Sequence, residues 1–201
     1  VTVIPTGSGN DFIRCFSDPD AFRDLKRLRC CDEASFDLIR AGSDWAINVC
    51  SIGFDARVGT EISRYKRLPF LTGSGAYVLS ILVNVLRGIH APYAVELDGR
   101  RFEAPLTMIC VCNGRYYGGG FNPVPDAEPD DGFLDVLLVA PVSRLTVATV
   151  IGHYKRGEYR RFPHLIRHFQ CQSVRIWCQA PSSVNLDGEL RTQKEVCFQL
   201  V

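Results

Sequence analysis

The sequence lacks an apolar run long enough to cross a bilayer. Its longest, AYVLSILVNVL at 76–86, has 11 residues, whereas a membrane-spanning helix needs about 20. The first residues lack the basic and apolar regions of a secretory signal peptide. An excess of one charge is also missing, because 23 basic and 22 acidic side chains leave a net charge of +1. We therefore expect neither a transmembrane segment nor nucleic-acid binding.

The sequence also lacks the paired Cys and His spacing of a structural zinc site. Cys110 and Cys112 fall on one strand face and His164 and His168 lie one helical turn apart, but neither pair has a partner pair at the spacing of a structural zinc site. The nine cysteines are an odd number, and most lie in apolar strand-like runs where a small thiol packs well. We expect free thiols in a reducing cytoplasm.

What is present suits a globular protein of one large or two small domains, since 46% of the 201 residues are hydrophobic. Residues 1–5 are predicted to form a buried strand, followed by a glycine-containing loop and two helical pieces in NDFIRCF and DPDAFRDLKRL. This order is typical of a nucleotide-binding α/β unit. The composition changes near residue 31, so we predict domains over 1–30 and 31–201.

The second domain is predicted to be rich in β-structure. A turn at AGSD indicates a hairpin over ASFDLIRAGSDWAINVCSIGFDARV, and helices are expected at 54–65, 74–88, 143–157 and 162–169. Turns at Asp98-Gly99 and Asp187-Gly188 separate some of the later strands. The fold class is therefore an α/β remnant followed by an antiparallel β-sandwich or open barrel of α+β type. The later expected strands are YAVELDG, RRFEAPLTMICVCNG, GFLDVLLVA, SVRIWC, SSVNLDG and EVCFQLV.

The loop PTGSGNDF is a candidate phosphate site. The N–H groups of Gly7, Ser8 and Gly9 can converge on an anion, because glycine turns without a Cβ clash, and the following helix adds the positive end of its dipole. Asp11 is then placed to hold Mg²⁺ against bound phosphates. Asn10 and Asp11 would serve equally well as helix caps, so both interpretations stay open.

Two later loops carry further candidate ligands. NGRYYGGGF has three consecutive glycines that allow close approach of a substrate, although a strained strand connection has the same composition. NPVPDAEPDDGFLDV suits a hard cation, although a solvated acidic turn is an equal alternative and the spacing is not that of an EF-hand. Its five carboxylates are Asp126, Glu128, Asp130, Asp131 and Asp135.

The stretch VNLDGEL places Asp187 and Glu189 on either side of Gly188. Two carboxylates this close can raise each other's pKa, as a general base working near neutral pH requires. An ordinary Asp-Gly hairpin turn would have the same sequence.

Taken in order, four motifs resemble those of the diacylglycerol kinase catalytic family over essentially all 201 residues. The resemblance is strongest to the bacterial soluble lipid kinases, whose eukaryotic relatives include sphingosine and ceramide kinases. It implies an ATP-dependent, two-domain lipid kinase with its active site in the cleft between an α/β domain and a β-sandwich domain. The motifs are PTGSGNDF, FDLIRAGSDWAINVCSIGFDA, CNGRYYGGGFNPVPDAEPDDGFLDV and NLDGEL.

The resemblance also implies roles for individual residues. Glu189 matches the catalytic base, with Asp187 beside it, and Asp11 and Asp37 would belong to the catalytic magnesium network. The implied reaction has Glu189 accept the proton of a lipid hydroxyl that attacks the γ-phosphate of ATP. The resemblance also implies contacts of ATP phosphates with Gly7, Ser8, Gly9 and Asn10. It implies a structural Mg²⁺ site, apart from the chemistry, at Asp131 with backbone carbonyls near Glu128 and Phe133.

The family's ATP domain normally carries a preceding GGDGT loop, and no such motif occurs in this sequence. The family's returning C-terminal segment is also not found. We therefore expect this chain to be the later part of a longer kinase and inactive by itself.

Two other functions stay open: an NAD-kinase-like small-molecule kinase and a non-catalytic lipid-binding domain. The expected partner is a lipid at a membrane surface, with diacylglycerol as the first candidate. We expect a cytoplasmic protein that could be peripheral at the inner face of the membrane. A homodimer is left open. The apolar helix at 74–88 with Phe70, Leu71, Tyr116 and Tyr117 could line an acyl-chain pocket, although an ordinary core helix has the same pattern.

Overall fold

A computed structural model of the chain describes residues 2–6, 10–54, 56 and 90–201. Within them, ten strands form one antiparallel sheet with few helices. The helices are α1 (Leu25–Leu28) and α2 (Arg144–Lys155), with 3-10 turns at Phe12–Cys15, Pro19–Arg23 and Tyr159–Arg161. The strands are β1 (Ile39–Ala41), β2 (Asp44–Ala46), β3 (Val49–Gly53), β4 (Ala91–Leu97), β5 (Arg100–Leu106), β6 (Met108–Cys112), β7 (Leu134–Val139), β8 (Ile166–Cys171), β9 (Ser173–Leu186) and β10 (Glu189–Leu200).

The long strand β9 joins the two halves of the sheet. Its first half pairs with β4, which pairs with β5, and its second half pairs with β3. The main order is β2-β1-β10-β9-β3-β6-β7-β8. Apolar side chains from both halves share one buried core, which includes Ile39, Ile52, Val111, Ile176 and Phe198. The predicted antiparallel sandwich is therefore confirmed.

Strands β6 and β7 are buried along their whole length. The shared core covers one face, and α2 packs near the other through Val147, Val150 and Ile151. Burial on both faces explains why these strands read as continuous apolar runs rather than alternating ones. It also explains the buried thiols of Cys110 and Cys112, whose sulfur atoms lie 3.5 Å apart.

The Asp-Gly turns are confirmed. Asp98 and Gly99 connect β4 to β5, and Asp187 and Gly188 connect β9 to β10, all four with positive φ. Such turns follow the right-handed twist of the strands, and Asp tolerates the left-handed region better than most residues. The AGSD hairpin is confirmed as β1 and β2.

The helix predicted at 162–169 is wrong, because residues 166–171 form β8, which pairs with β7 along its whole length. Pairing with a buried strand outweighs local helical periodicity. Residues 2–6 are not in a strand and are exposed or half-buried, so the prediction of a buried strand over 1–5 also fails. SVRIWC and SSVNL belong to the single strand β9.

The helix predicted at 143–157 is confirmed as α2, which Ser143 caps by accepting a hydrogen bond from the Thr146 N–H at 3.1 Å. The helices predicted at 54–65 and 74–88 lie outside the described residues except for Phe54 and Ala56. Within the described part of the chain, no helix is long and apolar enough to span a membrane.

Candidate functional site

The carboxylate of Asp187 is held by the chain between β2 and β3. It accepts hydrogen bonds from the backbone N–H groups of Ile47 at 2.6 Å, Asn48 at 3.1 Å and Val49 at 2.7 Å. Desolvation raises the pKa of Asp187, and the three N–H donors act against that rise. The cause is therefore burial rather than the charge of Glu189, contrary to the expectation from sequence. The Asp187 carboxylate therefore fixes the position of the backbone at residues 47–49.

Two buried asparagines connect the loops around this point. The Asn48 side chain donates to the carbonyl of Tyr116 at 2.6 Å, and the Asn113 side chain donates to the carbonyls of Asp37 and Ile47, each at 2.8 Å. Three of the four motifs singled out in the sequence thus meet here. Neither asparagine was identified as a candidate from sequence, although Asn113 stands in the motif CNGRYYGGGF.

The fourth motif joins through Asp11. Its Oδ2 accepts a hydrogen bond from the Gly119 N–H at 2.6 Å, so the start of the chain is tied to the glycine loop of residues 117–121. Gly120 has a φ of 106°, a backbone conformation that residues with a side chain rarely adopt, so this position favours glycine. Asp11 makes no side-chain hydrogen bond to the 3-10 turn that follows it, which makes the capping interpretation wrong for this residue.

The structure describes part of the predicted phosphate loop. Gly7, Ser8 and Gly9 lie outside the described residues. Asn10 has a φ of 49°, in the left-handed region that asparagine tolerates better than most side chains.

Asp37 is hydrogen-bonded to the acidic loop of residues 122–136. Its carboxylate accepts from the Gly132 N–H at 2.9 Å, and its own N–H donates to the carbonyl of Pro129 at 2.8 Å. Asp131 accepts from the Phe133 N–H at 2.9 Å. Burial raises the pKa of Asp131, and neighbouring carboxylates, Asp37 among them, add to the rise. Asp37 and Asp131 therefore share one negatively charged neighbourhood.

The donor sets differ in how well they fit Mg²⁺, which prefers one or two carboxylates with phosphate oxygens and water. Asp11 fits, since its Oδ1 is buried without a hydrogen-bond partner in the described part of the chain, 3.7 Å from Arg14 Nε. Among the described residues no three acidic, His or Cys side chains are placed to hold a metal. The site predicted from the Asp131 carboxylate and the backbone carbonyls near Glu128 and Phe133 would use a single acidic side chain, and it stays a prediction.

Glu189 is the first residue of β10, directly after the Asp187-Gly188 turn. Its side chain is 79% exposed, and the Arg191 Nη1 lies 3.8 Å from its carboxylate. An exposed carboxylate beside a rigidly held turn is accessible to a substrate hydroxyl. The structure thus separates the two acids of the motif, since the Asp187 carboxylate is hydrogen-bonded to backbone N–H groups and the Glu189 carboxylate faces solvent.

An apolar cavity lies between α2 and the sheet, with about 630 Å³ of empty space including the part open to solvent. Tyr117 and Phe121, at the two ends of the glycine loop, line it together with the apolar side of α2. The same loop contacts Asp11 at Gly119. The other lining residues are Phe54, Thr107, Met108, Val139, Val142, Thr146, Val147, Val150, Ile151, Tyr154 and Ile166.

Comparison with known proteins finds relatives along the whole chain. A protein of Shewanella frigidimarina named "probable lipid kinase YegS-like" is 28% identical over 204 residues, covering 100% of this chain and 64% of that protein. A diacylglycerol kinase of Mycobacterium tuberculosis is 26% identical, covering 94% of this chain and 64% of the relative. This chain thus spans less than two thirds, 64%, of the length of these relatives.

The fold is shared with a solved structure. A diacylglycerol kinase from Bacillus anthracis superimposes with a TM-score of 0.65 over 100% of this chain and 63% of that one, at 20% identity. Residues 48–201 match the model of the YegS C-terminal NAD kinase beta sandwich-like domain. The chain therefore belongs to the family of YegS C-terminal NAD kinase beta sandwich-like domains, as found in the YegS and diacylglycerol lipid kinases.

Proposed function

We propose that this chain is the lipid-binding and catalytic-base part of an ATP-dependent lipid kinase, with diacylglycerol as the first candidate acceptor. One observation carries the proposal: the loop at 117–121 binds the Asp11 carboxylate at its tip and lines the apolar cavity with Tyr117 and Phe121. A lipid with its acyl chain in this cavity would have its polar end near Asp11, beside the predicted phosphate loop.

The lining of the cavity supports a lipid over a polar acceptor. Apart from the hydroxyls of threonine and tyrosine, its side chains are apolar, and burying an acyl methylene is worth about 0.8 kcal/mol. An NAD-kinase-like activity on a polar dinucleotide would place polar groups against these side chains without partners. The lipid is therefore the better substrate class.

The proposed chemistry assigns a separate role to each of three carboxylates. Glu189 accepts the proton of the lipid hydroxyl as that oxygen attacks the γ-phosphorus of ATP and the bond to the bridging oxygen of ADP breaks. Asp187 holds the Glu189 turn against the chain at 47–49. In this proposal Asp11 would hold the cation at the ATP phosphates. Mg²⁺, when bound, would offset the charge of the transferring phosphoryl group.

The test is transfer of labelled γ-phosphate from ATP to lipids in mixed micelles, using the complete product of the gene. We expect one or more long-chain lipid alcohols to be labelled, diacylglycerol first among them. We expect the 201-residue chain by itself to label none. If the complete protein is folded and binds ATP but labels no lipid, the kinase proposal is wrong and a non-catalytic lipid-binding domain becomes the better interpretation.

Val150→Phe should weaken the use of long-chain acceptors. Val150 is half-buried on α2 and lines the cavity, so a phenyl ring would occupy space that the acyl chain needs. We expect KM for a long-chain lipid to rise about tenfold while KM for a short-chain analogue changes little, which corresponds to the loss of about two buried methylenes. Leu145→Phe is the matched control, since Leu145 is on the same helix and 81% exposed. Equal effects of the two variants would contradict the assignment of the cavity.

A further inference from the structure

Residues 153–168, here called the basic segment, concentrate the positive charge of the chain. The rest of the chain has 18 basic and 21 acidic side chains, so a segment of net charge +4 lies on a remainder of net charge −3. The near-neutral total of +1 hides this asymmetry. The five cations of the segment are Lys155, Arg156, Arg160, Arg161 and Arg167, and its one carboxylate is Glu158.

The cations of the segment face solvent. The side chains of Arg156, Arg160 and Arg161 are 57%, 66% and 65% exposed. Glu158 contacts both Arg156 and Arg161, and the hydrogen bond from Arg156 lowers the pKa of Glu158 to about 2. Glu158 is thus ionised at neutral pH, and with Asp126 at Arg160 it leaves three of the five cations in excess.

Two of these cations flank an open cleft. Arg160 and Arg167 line it together with His168 and aromatic side chains. The cleft encloses about 780 Å³ of empty space, which includes the part open to solvent. The Arg167 guanidinium lies 4.9 Å from the ring centre of Phe169. The exposed arginine side chain thus packs on an aromatic ring. The other lining residues are Tyr159, Pro163 and Ile166.

The cleft and the apolar cavity are neighbours. Ile166 lines both of them, and the Lys155 ammonium lies 5.5 Å from the ring centre of Phe121, a cavity residue. A surface that met the basic segment would therefore also lie close to the cavity. This adjacency matters because a lipid must leave a bilayer to enter the cavity.

We propose that the basic segment is the surface through which this protein docks on the headgroups of an anionic phospholipid bilayer. The inference rests on the proposed lipid kinase function, and it names where the membrane is met. Lys and Arg side chains near an anionic leaflet each add to attraction, which decays within a Debye length of about 8 Å at 0.15 M salt. A nucleic acid would complement the charge of the basic segment, but it has no acyl chain that could occupy the adjoining apolar cavity.

The test is sedimentation of the complete protein with vesicles of phosphatidylglycerol mixed with phosphatidylcholine, against vesicles of phosphatidylcholine alone. We expect binding only to the anionic vesicles, weakening as salt is raised. Arg160→Gln with Arg167→Gln should lower the partition constant about fivefold per charge removed. Arg160→Lys with Arg167→Lys keeps the charge and should retain most of the binding.

The matched control removes two exposed cations at the other end of the sheet order, with Arg40→Gln on β1 and Lys194→Gln on β10. It should bind as the unaltered protein does, and melting temperatures verify that all variants fold. Equal loss in both double variants, no binding of the unaltered protein, or tighter binding of an oligonucleotide through the same two arginines would each overturn the proposal.

The readout separates this inference from the proposed kinase activity. Arg-dependent vesicle binding without phosphate transfer to any lipid would support the docking surface and contradict the kinase. Phosphate transfer with no Arg-dependent vesicle binding would contradict the docking surface alone.

Discussion

Glu189→Gln should lower the rate of phosphate transfer by the complete kinase by about 10²–10⁴-fold, the usual contribution of a general base. The amide keeps the size of the carboxylate but cannot accept the proton of the lipid hydroxyl. Because the side chain is 79% exposed, the substitution should leave the melting temperature within experimental error. The measurement is kcat with the labelled lipid, together with thermal unfolding.

Glu195→Gln is the matched control for this variant, because Glu195 is an exposed carboxylate on the same strand. It should retain the activity of the unaltered protein. A Glu189→Gln enzyme that keeps full kcat would show that another group, or none, accepts the proton. A parallel loss in Glu195→Gln would point to the net charge of β10 rather than to one base.

Asp187→Gly should destabilise the fold by about 2–4 kcal/mol. Hydrogen bonds to a charged group contribute about 1.5–3 kcal/mol each, discounted here because they share one carboxylate in an exposed turn. The variant leaves the N–H groups of Ile47, Asn48 and Val49 without this acceptor. Glycine is chosen because φ at Asp187 is 49°, so the substitution adds no backbone strain.

Denaturant unfolding measures this loss, with Asp20→Ala as the control. Asp20 is 80% exposed and pairs with Arg23, so its removal should change the free energy of unfolding by less than about 0.5 kcal/mol. If Asp187→Gly were equally neutral, the carboxylate would not hold the chain at 47–49 in solution. If Asp187→Gly lowered the activity but left the free energy of unfolding unchanged, direct contact of Asp187 with the substrate would be the better interpretation.

The sequence predicted the β-rich fold well where local chemistry decides the structure. Asp-Gly turns require positive φ, which few residue pairs tolerate, and this placed the β4–β5 and β9–β10 turns correctly. It failed at 162–169, where the side-chain pattern is compatible with a helix but pairing with β7 decides for a strand. It also divided β9, whose two halves pair with different strands.

For the site, the sequence located the motifs but not their connections. Asp11, Asp37 and Asp187 were identified, and the structure brings each into the network of loops around Asn48 and Asn113. Those two asparagines were missed because a buried amide that links loops has no short-range sequence signature. The basic segment was overlooked for a related reason, since the net charge of the whole chain is only +1.

By itself, then, the sequence determined the antiparallel sandwich class, the Asp-Gly turns, the buried thiols of Cys50, Cys110 and Cys112, and the order of four motifs, because each depends on residue type and near neighbours. Only the tertiary structure decided that Asp187 serves the backbone while Glu189 faces solvent, and that Asp11 meets Gly119 across 108 positions. It also set the basic cleft beside the apolar cavity through Ile166. Contacts between distant segments depend on how strands pair and pack, and no local pattern encodes that pairing.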